Sequence, residues 1–227
     1  ACPNLGVGVH LVVTTGKPVL PPERVSTLVD GNGGFLNVVN LTGKLSEINL
    51  DEMEAEWKAQ VEKFVRHYGK APDHLDSHHH FSYYSPALFE RMLKLAEQLK
   101  CGIRRPYRNT AEEAEVYLPK ELIEPALLRY GDMSAKKMPS TTDRFIGSFY
   151  DEWATLEHLM ELLNEIAADP IHETFEIMCH PAKMDHELGK RSDYNTKRVT
   201  ELSILQHPEA RKKLDELGIQ LIRFADL

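Results

Sequence analysis

Cysteine is scarce in this chain: Cys2, Cys101 and Cys179 are the only three in 227 residues. So few, so widely spaced, exclude a disulfide framework and a cysteine-rich zinc site as the basis of the fold. A reducing, cytoplasmic compartment is the expectation that follows. Long apolar runs are also missing. The uninterrupted ones extend over only a few residues, as from Leu11 to Val13, whereas a membrane-spanning helix needs ~20. Positive charge is in deficit, with 27 Lys and Arg against 35 Asp and Glu, for a net charge of −8. That balance argues against binding nucleic acid through its phosphates and against docking on an anionic membrane. A neutral or weakly charged small molecule fits it better. No repeat, low-complexity tract, secretory leader or Pro/Gly/Ser linker is visible, so a single soluble domain over residues 1–227 is expected.

What is present is alternation. Val7-Gly8-Val9-His10-Leu11-Val12-Val13 reads as a short buried strand. Turn signals follow at Gly16, Pro18 and Asp30-Gly31-Asn32-Gly33-Gly34. Leu50, Met53, Trp57, Val61, Phe64, Val65 and Tyr68 recur at helical spacing, with Asn49 as N-cap and Gly69 as stop. Asp73 to Ser77 reads as a strand, and Ser85-Pro86 opens a second helix that buries Leu88, Met92, Leu95, Ala96 and Leu99. Cys101 to Arg104 reads as another strand. Residues 108–150 carry no clear pattern. Glu152 to Ala168 reads as a helix with Trp153, Leu156, Leu159, Met160 and Leu163 inward. Thr174 to Cys179 reads as a strand, helices broken at Pro208 follow, and Gly218 to Phe224 is expected to close as a strand. Strands alternating with helices of this length predict an α/β fold with parallel strands, for which a barrel and a doubly wound sheet both remain open.

Histidine collects where the strands end. His10 lies in the first, His78, His79 and His80 follow Asp76-Ser77, and His180 follows Cys179. Sites in both α/β layouts form at carboxyl ends of strands. Taken singly, His10 reads better as a core histidine, the triplet as a solvated loop and His180 as a strand end. Taken together they read as a site, because His74-Leu75-Asp76-Ser77-His78-His79-His80 packs four imidazoles and a carboxylate into seven residues. Imidazole with carboxylate is a natural divalent-metal set, and a carboxylate can also orient a ligating histidine from behind. His67, His158, His172, His186 and His207 read as surface or helix-face residues. Arg104-Arg105-Pro106-Tyr107 brings a guanidinium and an aromatic ring to a strand end, where Arg could orient a carboxylate or belong to a surface basic patch.

These stretches resemble the YdjC-like carbohydrate deacetylases, a family that includes chitooligosaccharide deacetylases. The matching residues are Asn4 to Leu11 with Thr14 and Gly16-Lys17-Pro18, then His74 to His80, Arg104 to Tyr107, and Glu176 to Ala182. The resemblance implies an irregular (β/α) barrel, one divalent metal ion (Mg or Zn) and a homodimer. It assigns His10 and His78 as metal ligands, His180 as the acid and Arg104 as the group that orients a catalytic base. His80, Tyr84 and Tyr107 are assigned to the acetylated amino-sugar substrate. Phe81 and Phe145 are further aromatic residues able to stack on a sugar, although Phe145 suits the core better. Two imidazole ligands favour Zn over Mg. The family pattern begins upstream with a strand ending in Asp-Asp-Phe-Gly, which contributes a ligand and the base. That segment is absent from these residues, so the functional protein is expected to be longer. The implied activity is metal-dependent hydrolysis of N-acetyl groups. A non-catalytic sugar-binding barrel and a metal-dependent phosphoesterase are the rival classes.

Overall fold

A computed structural model describes residue 2 and residues 4–105, 139–192 and 194–227. They form two compact units, Ala1–Thr141 with Arg223–Leu227, and Thr142–Ile222. Each is built from parallel strands and helices, as the alternation predicts. The strands make one three-stranded and one two-stranded parallel sheet. The closed barrel goes beyond what these strands show. Tyr107 and most of the pattern-free stretch 108–150 lie outside the described residues.

In the first unit the strand order is β1 (Val9–Leu11), β2 (His74–Ser77) and β3 (Gly102–Ile103). Val9 and Leu11 point into the core while His10 faces out, the period-two alternation of a strand with one buried face. The register pairs Val9 with Leu75, His10 with Asp76 and Leu11 with Ser77. Gly8 leaves room for the His74 imidazole, which a Cβ there would meet at 2.4 Å.

Two longer helices pack on this sheet after a short first one, α1 (Val38–Gly43). In α2 (Leu50–Tyr68), the Asn49 side chain accepts from the backbone N–H groups of Asp51 and Glu52, and Gly69 ends the helix at φ 80°. Met53, Trp57 and Val61 are buried, but the stripe drifts, and Val65 and Tyr68 are exposed. Glu52 does not reach back to its own cap; its carboxylate accepts from the backbone N–H and hydroxyl of Thr27. Farther along, fully buried Glu56 accepts from the backbone N–H groups of Val19 and Leu20. Gln60 pairs through its amide with both backbone groups of Val12, at 2.9 and 2.6 Å. The segment leaving β1 is thus tied to α2 by three side chains one helical turn apart. In α3 (Pro86–Leu99), Ser85 caps the first turn and Leu88, Met92, Leu95 and Ala96 are buried. The C-terminal turn Phe224–Asp226 also belongs to this unit, with Phe224 stacked on His74.

The second unit pairs β4 (Arg144–Ile146) with β5 (Phe175–Ile177). Its helices are α4 (Leu156–Ala168), α5 (His186–Arg191), α6 (Thr196–Leu205) and α7 (Pro208–Leu217). Ile146, Phe149, Leu159, Leu162, Leu163 and Ile204 form its core, and Phe145 is buried. Two expectations are corrected. Trp153 is 69% exposed, because Thr155 caps the helix and starts it at Leu156. The segment 218–224 is no strand: Leu221 and Ile222 are exposed and irregular, and Gly218 ends α7 in a left-handed turn.

Candidate active site

The carboxyl ends of β1 and β2 bring His10, Asp76 and His78 together. The parallel register sets His10 opposite Asp76, and the His10 Nδ1 lies 2.7 Å from the Asp76 Oδ2. With Nδ1–H donating to the carboxylate, the lone pair on Nε2 faces outward. That Nε2 lies 3.2 Å from the His78 Nδ1. Two imidazole nitrogens bound to one tetrahedral zinc at ~2.0–2.1 Å stand roughly 3.3 Å apart, so the pair has the bite of a metal chelate. His10 is 46% exposed at its side chain, so the pair opens to solvent. Among the described residues no group of three or more His, Cys, Asp or Glu is arranged to hold a metal ion. The His10 and His78 pair fits a metal ion by its imidazole chemistry, its spacing and the Asp76 carboxylate behind His10.

Asp76 is buried and Arg104 donates to the same Oδ2 at 2.6 Å. Burial alone would push the carboxyl up; the His10 hydrogen bond and the Arg104 charge outweigh it and hold the group at about 2. It is thus a permanent anion near neutrality, and it fixes the His10 tautomer as a carboxylate does behind a metal-bound histidine. Arg104 directly follows β3, where its backbone N–H donates to the Leu75 carbonyl and the Tyr83 hydroxyl donates to the Arg104 carbonyl.

The loop after β2 is strained. His79 and His80 both lie in the left-handed region, at φ 54° and 52°, which costs roughly 1–2 kcal/mol per non-glycine residue. Ser77 and Ser82 close the loop, hydroxyl to hydroxyl at 2.7 Å, with the Ser82 N–H donating to Ser77 at 3.1 Å. Strain of this kind persists where the surroundings over-determine it, and it collects at functional sites. The turn sets the His78 and His79 rings 3.9 Å apart and brings the His79 Nδ1 to 2.9 Å from the Thr14 hydroxyl. Burial, then the nearby His10, lowers the His79 pKa and favours its neutral form.

In the second unit His180 follows β5. Its backbone N–H donates to the carboxylate of fully buried Glu201, and its ring meets Tyr150 and Tyr194 edge-on, with centroids 5.3 and 5.9 Å away.

The family model described as YdjC-like protein matches residues 1–216. The chain belongs to that family. A carbohydrate deacetylase of Enterococcus faecalis is 34% identical over 229 residues, an alignment covering 100% of this chain and 79% of that protein. A chitooligosaccharide deacetylase of Yersinia enterocolitica is 31% identical over 99% of this chain and 79% of its own length. A crystal structure from Enterococcus faecalis V583, linked by its description to cellobiose-phosphate cleavage, superposes with a TM-score of 0.82 at 32% identity. It covers 99% of this chain and 78% of that one.

In this YdjC-like chain, the first unit brings His10, His78 and Arg104 into one cluster. Tyr84 is buried and packs on Phe81 at 5.2 Å, and burial raises its pKa. His80 sits in the strained turn, its ring centroid 6.5 Å from that of Tyr83. Phe81 is wholly buried and has no face to offer a sugar, which corrects that expectation. Thr14 and His79 carry contacts that reading residue types did not assign, and Asp76, the carboxylate of the histidine cluster, gains His10 as its specific partner through the strand register. The signal for Asp76 was its position one residue into Leu75-Asp76-Ser77, pairing with the central residue of Val9-His10-Leu11, and that becomes visible only once the two strands are aligned.

Proposed function

We propose that this protein is a carbohydrate deacetylase that removes N-acetyl groups from small amino sugars such as chitooligosaccharides, with a divalent metal ion held in part by His10 and His78. The 3.2 Å pair of imidazole nitrogens backed by Asp76 carries this reading. The names of the relatives supply the substrate class. The donor chemistry favours zinc over magnesium. An irregular (β/α) barrel, a homodimer and a cytoplasmic setting belong to the same reading.

When bound, the metal supplies Lewis-acid polarisation of the amide carbonyl and a water of lowered pKa. The residues of this chain hold, orient and donate a proton. Asp76 holds His10 with Nε2 free to ligate, and Arg104 keeps Asp76 ionised. His180 protonates the departing amine as the C–N bond breaks. His80 and Tyr107 are the residues this reading assigns to the sugar, whereas Tyr84, buried against Phe81, serves packing.

Acetate release from N,N′-diacetylchitobiose by the protein at its full native length, with and without a chelator, tests the proposal. Chelator-sensitive release supports it. Absence of release from a panel of acetylated sugars, with metal bound, would overturn it in favour of a sugar-binding barrel. The description of the E. faecalis structural neighbour speaks of cleaving a phosphorylated disaccharide. Phosphate release from phosphorylated disaccharides and phosphodiesters therefore forms the third arm and reports a phosphoesterase.

A further inference from the structure

Glu201, on α6, is a carboxylate with no solvent exposure. Both its oxygens are engaged: one accepts from the His180 backbone N–H, the other from the Tyr194 hydroxyl. The same hydroxyl accepts from the backbone N–H of Asp151 at 3.0 Å. Asp151 lies at φ 54°, a left-handed conformation that a non-glycine residue keeps only where its surroundings hold it. Next to it, Tyr150 stacks on Tyr194 with ring centroids 4.6 Å apart. Arg198, one turn before Glu201, donates from Nε to the Tyr194 carbonyl at 2.7 Å and from its terminal nitrogen to the His180 carbonyl at 3.3 Å. One turn of α6 therefore holds both backbone polar groups of His180, and through Tyr194 it also holds the stacked pair of rings that the imidazole meets edge-on.

Burying a carboxylate costs several kcal/mol unless its partners compensate. Here the partners are a backbone amide and a phenol, and both lead to His180. We propose that Glu201 is the positioning residue for His180, acting with Arg198 as a two-point clamp that holds the imidazole beside the stacked Tyr150 and Tyr194 rings. The inference rests on His180 being the proton donor of the deacetylase reading. Glu201 touches no substrate in this scheme; it restricts where the imidazole can stand. A displacement of about 1 Å at such a group costs up to 10²-fold in rate.

The test compares Glu201→Gln and Arg198→Lys with the native full-length protein. Two readouts are taken: steady-state kinetics on N,N′-diacetylchitobiose, and the NMR chemical shift of the His180 ring Hε1 proton, assigned by its loss in His180→Ala. The clamp predicts a fall in kcat of roughly tenfold to a hundredfold with KM within about twofold, together with a displaced Hε1 signal as the ring leaves the Tyr150 and Tyr194 ring currents. Either folded variant that keeps both kcat and the His180 signal at native values overturns it. So does a fall in kcat with an unmoved signal, since the loss would then come from elsewhere. Arg198→Lys keeps the test decisive if Glu201→Gln fails to fold. If the native protein releases no acetate from any sugar, the deacetylase reading fails on its own, and the Hε1 signal alone judges the clamp: displacement in the variants upholds Glu201 as the anchor of His180, and constancy overturns it.

Discussion

At the scale of single residues, one oxygen of Asp76 serves two masters. Oδ2 accepts from His10 at 2.7 Å and from Arg104 at 2.6 Å. Asp76→Asn keeps the shape and removes the charge, so metal affinity measured by competition with a chromophoric chelator should fall about 10–100-fold. The same substitution has a signature in acid. Because the folded carboxyl is held at about 2, below its ordinary 3.8, its stabilisation is present above pH 4 and lost as pH falls towards 2. That difference amounts to on the order of 2 kcal/mol. Native protein should therefore lose that increment between pH 4 and 2 in denaturant titrations, and Asp76→Asn should not show it. His78→Ala should lose bound metal and acetate release together, whereas His180→Ala should keep the metal and lose turnover. A native kcat in His180→Ala would remove His180 from the acid role.

At the scale of elements, the helix α2 and the strand β1 carry the site on their contacts. Trp57 is buried between α2 and the rest of the first core, and truncation to Ala should cost about 3–5 kcal/mol by urea denaturation. Asn49→Ala removes the cap that accepts from Asp51 and Glu52, and should cost ~1 kcal/mol while leaving kcat unchanged. Gly8→Ala is a sharper test of how the strands hold the site. Its Cβ would meet the His74 imidazole at 2.4 Å, so either that ring leaves its stack on Phe224 or β1 and β2 part where His10 and Asp76 pair. Loss of metal affinity with a lowered Tm is the expected result, and unchanged metal affinity would show that the pairing tolerates the shift. Much of this level was legible early. Asn49, Ser85 and the apolar stripes are local signals, so caps and helices could be read directly. Trp153 and the segment 218–224 misled because apolar residues at the right spacing say nothing about whether a neighbour exists to bury them.

At the scale of the whole molecule, the match to carbohydrate deacetylases marks this family member as an enzyme, and the net charge of −8 suits a weakly charged small molecule. Treatment with a chelator should abolish acetate release, and zinc or cobalt should restore it; magnesium, poorly matched to two imidazoles, should restore it less. Full activity after exhaustive chelation would end the metal reading.

Composition, spacing and motif were enough to indicate an α/β chain of parallel strands, the positions of its helices and the histidines at its strand ends. These follow from short-range rules, in which a cap, an alternation or a stripe needs only nearby residues. The partners of those histidines needed the folded chain. His10 and Asp76 stand 66 residues apart, and only a particular strand register makes them opposite neighbours. His79 and His80 adopt left-handed backbone conformations that local sequence does not dictate, held by Ser77, Ser82 and Thr14. Glu201 reads in the sequence as one more helical glutamate, and becomes the anchor of His180 only because folding buries it beside that backbone. Long-range pairing, burial and strain are properties of three-dimensional packing, and the chemistry of this site is built from all three.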